Sequence, residues 1–498
     1  MTLSKRAVFS ILLVVTLVRI ILMVWIPVKN DEAYYIFWAQ HLNAGYYDHP
    51  PLIGWLLWSM SSVSGSIVWF RMVTLVAGLV ATWGVYHLAR DRYSEQGARL
   101  AAVLFALSPS SLWLVFISND APLLIFLVLS VVAFYKADRD SNHLWSWVSG
   151  VLLGLAFLTK YLAVIVGIGY LVYALLDRRK ERLRHVALVL AGVLPFVIQH
   201  INYNYSNCWN TINFHLHVRN ADNGFNIGNI TGYLLELVLV LTPWGLWFLY
   251  RNRKQLPAIR DSLLLAIVVT SVGLLAVVSL KSIIGLHFLL VFSPFVFVYF
   301  GAFTDNRTQF RALFMSLIYA VLLATILFGL LLYPLERLKG WVHHSNFVVG
   351  LAPQDICASL KPYQSLPLFT NYYAQAGILS YTCKIDMQVL FGGSKYGREM
   401  DRPIDISTLD GKELAILELG VLKPETYSRF FKDYRVDRFE VHGAPFTVFV
   451  GKQFDYDLYK RDFLAGIRNR YYTPPAWLPK AGGCPFTEKY FPPYQKTK

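Results

Sequence analysis

The stretch FSILLVVTLVRIILMVWI, residues 9–26, runs almost directly into Asn30-Asp31-Glu32-Ala33-Tyr34-Tyr35, and the same segment later carries Tyr46-Tyr47-Asp48-His49-Pro50-Pro51. The apolar run is long enough to cross the hydrocarbon core of a bilayer. It therefore sets three carboxylates, a histidine and four tyrosines at a membrane surface, where ionisable groups are costly and usually have a task. The plainer reading is a solvated loop whose acids cap a short helix starting near Ala33. A second acidic run followed by a Pro-Pro turn argues for more than capping, and this first loop is the expected site of chemistry.

Working outward, the composition is that of an integral membrane protein. Of 498 residues, 55% are hydrophobic and only 15% charged, with a mean hydropathy of +0.43; ordinary soluble chains carry about a quarter charged residues. A net charge of +15 could suggest nucleic acid. Its distribution excludes that reading, because the basic residues cluster in short gaps between apolar runs: Lys5-Arg6, Arg90 to Arg99, Lys136 to Arg139, Asp177 to Arg184, Arg251 to Arg260 and Arg307 to Arg311. These gaps read as cytoplasmic loops under the positive-inside rule.

With those gaps inside, apolar runs near 9–26, 67–88, 100–117, 121–136, 147–159, 161–176, 186–203, 228–249, 262–280, 284–302 and 312–333 predict about eleven transmembrane helices, the N-terminus in the cytoplasm and the C-terminus outside. The run 147–176 is interrupted only by Thr159-Lys160, yet the basic residues on either side both belong inside. Two short helices meeting at Lys160 satisfy that, whereas a single span does not. The run 100–136 breaks likewise at Ser118-Asn119-Asp120-Ala121-Pro122, and such breaks at membrane depth are tolerated where they line a polar cavity. The first apolar run is expected to be a retained anchor, since Trp25-Ile26-Pro27-Val28-Lys29 is a poor cleavage site for a signal peptide.

Beyond the membrane domain, 1–333, the composition changes. Residues 334–498 are richer in charge, Pro and Gly and predict a small external α/β domain. Leu366 to Thr370, Leu414 to Leu417 and Phe446 to Val450 read as strands; Ala374 to Tyr381 and Glu425 to Tyr434 read as helices. All four cysteines fall in segments placed outside, which suits an oxidising compartment. Cys357 with Cys383 is a plausible disulfide, although spacing alone leaves the pairing open and free thiols an alternative.

The topology gathers Asp31, Glu32, Asp48, His49, Asn119, Asp120, Lys160, Lys281 and His287 on one face, with Arg71 a turn inside its helix. Each has a modest alternative. Lys160 could snorkel from a helix end, Arg71 could anchor at the interface, Asp120 could cap a helix, and His287 could be a satisfied core histidine. Tyr34, Tyr35, Tyr46 and Tyr47 could form an aromatic belt. His215 and His217 alternate in the 202–226 loop and raise the thought of a metal, but no third ligand is in view. Taken together, carboxylates facing Lys, Arg and His suit a negatively charged, lipid-linked substrate, with the cations stabilising a phosphate leaving group and a carboxylate acting as base or holding a divalent cation.

These motifs resemble the bacterial GT-C glycosyltransferases, and more narrowly the protein mannosyltransferase-like group that contains the lipid A aminoarabinose and galacturonic acid transferases. The resemblance rests on Asp31-Glu32 after the first span, Gly45 to Leu52 in the same loop, Asn119-Asp120-Ala121-Pro122-Leu123, Gly154 to Tyr161, and His287 opening the tenth helix. It covers roughly the first 300 residues in order and topology; the first-loop motif is the specific part.

The resemblance implies a polytopic α-helical fold of GT-C type and transfer of a sugar, with inversion, from a polyprenyl (undecaprenyl) phosphate to lipid A or lipopolysaccharide core. Asp31 would be catalytic with Glu32 assisting, Asp48 would sit near a divalent cation, and Lys160, Arg71, His49, His287 and Lys281 would hold the donor phosphate. Asp120, Tyr34 and Tyr47 would complete the pocket. Aminoarabinose transferases carry lysine where this chain has His49, so the pattern sits closer to the galacturonic acid type or to other relatives. Protein O-glycosylation is the alternative reaction. A transporter is the alternative of another class, disfavoured because the polar residues stay at one face and do not continue across the midplane.

Overall fold

A computed structural model of the chain describes residues 3–177, 179–221, 223–303 and 305–492. Arg178, in one of the basic gaps, and the C-terminal end placed outside lie beyond the described residues. Among the described residues, five helices are long and apolar enough to cross a membrane: Lys5–Trp25, Ile67–Arg90, Asp120–Asp140, Lys180–Tyr205 and Asn306–Leu331. Shorter apolar helices, among them His143–Phe157, Tyr161–Asp177 and Leu263–Ser279, fill in between them. The chain is a multi-pass membrane protein.

The two breaks read from the sequence are present. Lys160 is extended (φ −160°, ψ 135°) between Phe157 and Tyr161. The helix of residues 120–140 starts anew at Asp120, after non-helical backbone at residues 117 and 118.

Two expected spans are less regular than their hydropathy suggests. The run 228–249 is bent by 82° between Ile227–Leu241 and Pro243–Arg251. Pro243 cannot continue the first helix, and Thr242, at φ 63°, caps the second by accepting from Gly245 N. The run 284–302 is built of 3₁₀ turns around the short helix Ser293–Val298.

The helix ends sort by face. At one end Arg139 pairs with Asp91 at 2.5 Å, Arg182 with Asp138 at 3.1 Å, and Arg182 donates to Arg260 O at 3.1 Å, so the basic gaps lie together. At the other end the first loop is stitched to later helices. Leu52 N donates to Leu158 O at 2.9 Å, Gln199 Nε2 to Ala44 O at 2.6 Å and Thr211 Oγ1 to Tyr46 O at 2.9 Å.

The second domain sits on that end. Its five-stranded sheet has the order β2-β1-β3-β5-β4, from β1 (Leu368–Thr370), β2 (Met387–Val389), β3 (Leu414–Leu419), β4 (Phe431–Val441) and β5 (Ala444–Phe454). β1 is parallel to β2 and β3, while β3, β5 and β4 run antiparallel. Helix Tyr373–Cys383 crosses helix Asn30–Gln40 so closely that a Cβ on Gly377 would stand 3.0 Å from that of Ala33. A single apolar cluster therefore joins Ala33, Trp38 and Ile53 to Ala376, Leu379 and Val448.

One expectation here is corrected. Glu425 to Tyr434 is not a helix but two 3₁₀ turns leading into β4. β4 is the sheet's edge, and its charges (Lys432, Asp433, Arg435, Asp437, Arg438) protect that edge from further pairing while imitating a solvated helix.

Both disulfides form. Cys357 pairs with Cys383, Cα atoms 5.2 Å apart, and Cys208 with Cys484 at 4.7 Å, the latter tying the loop after Tyr205 to the C-terminal segment.

Candidate active site

Consecutive helical residues point about 100° apart, and this separates Glu32 from Asp31. Glu32 is fully buried. Its carboxylate accepts from Arg71 Nε at 2.8 Å and Nη2 at 2.5 Å, from Ile117 N at 2.8 Å and from Lys29 N at 3.0 Å. Arg71, also fully buried, spends its remaining donors on Met23 O, Ile26 O and Pro27 O at 2.6 to 3.0 Å. The expectation that Arg71 holds the donor phosphate and that Glu32 assists at the acceptor is therefore corrected. The two form an internal strut with no donor or lone pair left over for a substrate.

Asp31, on the neighbouring face, is exposed. Crowding by surrounding protein raises its carboxyl pKa; Lys160 opposes this, while Asp120 and Glu32 add to it. Lys160 is 9% exposed and its ammonium lies 2.8 Å from Asp120 Oδ1 and 4.8 Å from the Phe288 ring centroid. His287 is the residue beside that ring, among the charges of Lys160, Asp120 and Arg219. The buried Tyr35 phenol is held well above its usual pKa by burial and then by the charges of Asp31, Asp120 and Asp48.

Asp48 is 5% exposed and accepts from Tyr34 OH at 3.4 Å. Burial, then the charge of Asp31, pushes its pKa up to about 7. His49 faces His215, ring centroids 5.8 Å apart. Burial first, then His215 and the cations Lys160 and Arg219, keeps His49 well below the usual range, so it is neutral at pH 7 and offers a hydrogen bond instead of a charge. Its Nδ1 is buried without a partner. His215 and His217 do not pair as metal ligands: the first meets Asp48 O at 2.9 Å and the second Trp477 Nε1 at 3.2 Å. Among the described residues, no three His, Cys, Asp or Glu ligand atoms converge at Asp48. The residues present there do not form a self-sufficient cation site.

Lys281 lines a polar hollow of about 590 Å³ with Arg219, Lys395 and several asparagines, a lining that does not include Lys160. Tyr47 packs against Phe214 and Tyr472, its hydroxyl buried without a partner.

The second domain completes the site with residues the sequence did not single out. Glu399 Oε2 accepts from Tyr47 N at 2.9 Å, and its own amide donates to Tyr34 OH at 3.3 Å. Tyr372 and Tyr373 stand within the field of Asp31. Arg219, which bears on Asp48, His49 and His215, was also missed; it belongs to the long 202–226 loop, where only the alternating histidines gave a signal.

A bundle of apolar helices with carboxylates and cations on the loops of one face, covered by a small α/β domain, is the GT-C architecture. Comparison with known proteins narrows that class. Residues 48–203 match the family described as dolichyl-phosphate-mannose-protein mannosyltransferase. The lipid A galacturonosyltransferase RgtD of Rhizobium johnstonii is 31% identical over 179 residues, 35% of this chain and 38% of that protein. The putative mannosyltransferase YycA of Bacillus subtilis is 23% identical over 163 residues, 32% of this chain and 24% of that one. The matches thus span well under half the length of these two relatives.

Among solved structures, ArnT from Cupriavidus metallidurans superposes with a TM-score of 0.64 at 15% identity, covering 89% of this chain and 97% of that one in the apo state. Its complex with undecaprenyl phosphate gives the same score over 90% and 98%. By fold the chain is of GT-C type, and at 15% identity its likeness to ArnT is a likeness of fold.

Proposed function

We propose that this protein is an inverting glycosyltransferase of a bacterial inner membrane. It moves a sugar from a polyprenyl phosphate, of the undecaprenyl type, to lipid A or lipopolysaccharide core at the periplasmic face. The observation that carries the reading is the placement of an open carboxylate, Asp31, near the buried Lys160–Asp120 pair, while the neighbouring Glu32 is locked away. The local match to a lipid A galacturonosyltransferase supports the acceptor, and the likeness of fold to ArnT bound to undecaprenyl phosphate supports the donor class. The two disulfides, on the same side as Asp31, support a periplasmic orientation.

In this mechanism the acceptor oxygen attacks the anomeric carbon as the bond from that carbon to the lipid phosphate oxygen breaks. Asp31 takes the acceptor's proton, a task for which its raised pKa is suited. The departing polyprenyl phosphate gains negative charge, which Lys160 stabilises and to which His49 and His287 donate hydrogen bonds. If the acceptor is itself a phosphate it brings no proton, and Asp31 acts by orienting it. The hollow lined by Arg219, Lys281 and Lys395 suits a second anionic group of one of the two substrates.

The test is release of free polyprenyl phosphate from a sugar-loaded donor by purified protein, paired with mass spectrometry of lipopolysaccharide from a deletion strain complemented with wild type or Asp31→Asn. Wild type should release lipid phosphate and restore a sugar-sized mass. Asp31→Asn should lose about 100-fold or more in turnover, the scale of general base catalysis, while still binding donor. Wild-type turnover in Asp31→Asn would require rebuilding the mechanism around Asp48 or Asp120.

A further inference from the structure

At the end of the bundle far from Asp31, three side chains converge that the transfer reaction does not use. Helix Asp120–Asp140 has 21 residues, about 30 Å at 1.5 Å per residue. Asp120 stands at its catalytic end and Asp138 at the other, where Arg182 pairs with Asp138. Beside that pair, His143 opens helix His143–Phe157, and Glu181 and His185, four residues apart, share a face of helix Lys180–Tyr205. One ligand atom from each of the three lies within 4.8 Å of the other two.

We propose that His143, Glu181 and His185 form a binding site for a divalent transition metal, with zinc the fitting ion, that clamps these two helices together. Two neutral imidazoles and one carboxylate are the donor set zinc prefers when it keeps a fourth position for water. Tetrahedral bonds of 2.0–2.1 Å would bring the ligand atoms to about 3.3 Å from one another. A small rotation achieves that, because the His143 side chain is 53% exposed and free to move.

An ion pair between His143 and Glu181 at 2.6 Å accounts for two of the three residues. It leaves His185 unexplained. That residue is fully buried, its Nδ1 shares a 2.6 Å hydrogen bond with Ser146 Oγ, and its Nε2 has no partner at all. A ring fixed through one nitrogen with the other free is how ligating histidines are held. Arg184 Nη1 reaches Glu181 Oε2 at 3.2 Å, which orients the carboxylate and leaves Oε1 toward the histidines.

The clamp would act on an interface built for close approach. A Cβ on Gly150 would meet Val189 O at 2.3 Å, and one on Gly192 would meet Trp147 O at 2.8 Å. The clamped helix His143–Phe157 leads at its far end to Lys160.

The full-length protein in detergent, stripped with a chelator and titrated with Zn²⁺, tests this, with bound metal counted by atomic emission and thermal midpoints measured with and without zinc. Wild type should bind an equivalent that raises its midpoint. His143→Ala, at an exposed position that leaves the fold intact, should lose that equivalent and the zinc-dependent rise. Ser146→Ala should weaken affinity by about 10- to 100-fold, the usual effect of removing a ligand's outer partner. Asp48→Asn, on the opposite face, should keep the equivalent. Zinc binding by His143→Ala at wild-type affinity, loss of the equivalent in Asp48→Asn instead, or no zinc bound by wild type would each overturn the proposal.

Discussion

Glu32→Gln is the substitution on which the structural and catalytic readings of the first loop part most sharply. The carboxylate accepts four hydrogen bonds, two of them from Arg71, and neither side chain is exposed. Glutamine keeps the shape but turns an NH₂ toward a guanidinium that is itself only a donor, and it leaves a buried positive charge without its counter-ion. Breaking a buried pair from one side costs about 3–5 kcal/mol. A tenfold change in an equilibrium is about 1.4 kcal/mol, so the cost is a factor of roughly 100 or more in the local folding equilibrium. It falls where Met23, Ile26 and Pro27 meet helix Ile67–Arg90.

The variant should therefore show reduced yield of monodisperse protein and earlier loss of its gel-filtration peak on heating, while the fraction that stays folded turns over near the wild-type rate at low temperature. Arg71→Gln should do the same. The double variant Glu32→Gln/Arg71→Gln should recover part of the loss, since it removes both charges. A Glu32→Gln protein with wild-type thermal retention and abolished turnover would refute the strut and return Glu32 to the reaction.

The remaining expectations concern the open side of the site and the junction between domains. Lys160→Ala should lower turnover by about 100-fold, equivalent to about 3 kcal/mol of lost transition-state stabilisation, with membrane insertion unchanged; normal kinetics would mean that Lys160 serves only its pair with Asp120. Stability should fall as pH rises from 7 to 8.5, above the range in which histidines held low by burial, such as His49 and His215, add stability with rising pH. Burial lifts Asp48 to about 7 and Glu399 to about 8, both above their unfolded values, and hydrogen bonds to Glu336 and Asp355 raise His442 as well. A folded-state pKa above the unfolded one gives stability that is full below the unfolded pKa and lost as pH passes the folded pKa. Thermal midpoints across that range check the sign. Glu399→Gln should flatten the upper part of the curve, and an unchanged slope would show that Glu399 does not titrate there. Cys208→Ser/Cys484→Ser should loosen the C-terminal segment, read as faster proteolysis beyond Tyr472, without displacing Cys357–Cys383.

Much of this arrangement was legible because a bilayer imposes a length on apolar runs and the gaps between them carry the charge. That Asp31, Asp48, Asp120 and Lys160 lie on one face was legible in the sequence, because topology alone decides which polar residues share a face. Pairing was not legible. Glu32 and Arg71 meet across 39 residues, and Tyr47 and Glu399 across 352; neither separation leaves a mark in local composition. Arg71 read as a phosphate ligand because a cation one turn inside a membrane helix needs a partner, and the sequence offered a substrate where the fold supplies a carboxylate. The edge strand β4 was hidden for a related reason. Its charges are there to discourage further pairing, and a charged, unevenly alternating strand has the statistics of a solvated helix.

The division of labour between two adjacent acids follows from helix geometry joined to the second domain. Helix Asn30–Gln40 has nearly every other side chain committed: Glu32 to Arg71, Tyr34 to Asp48 and Glu399, and Ala33 to Gly377 of the crossing helix. With those contacts fixing its rotation, the helix has one acidic position left facing solvent, and Asp31 occupies it. The small domain is therefore more than a cover. Withdrawing it would free the rotation of that helix and, with it, the aim of the carboxylate toward Lys160 and Asp120. The position of Asp31 is thus set in part by residues more than 300 positions away in the chain, Gly377 and Glu399.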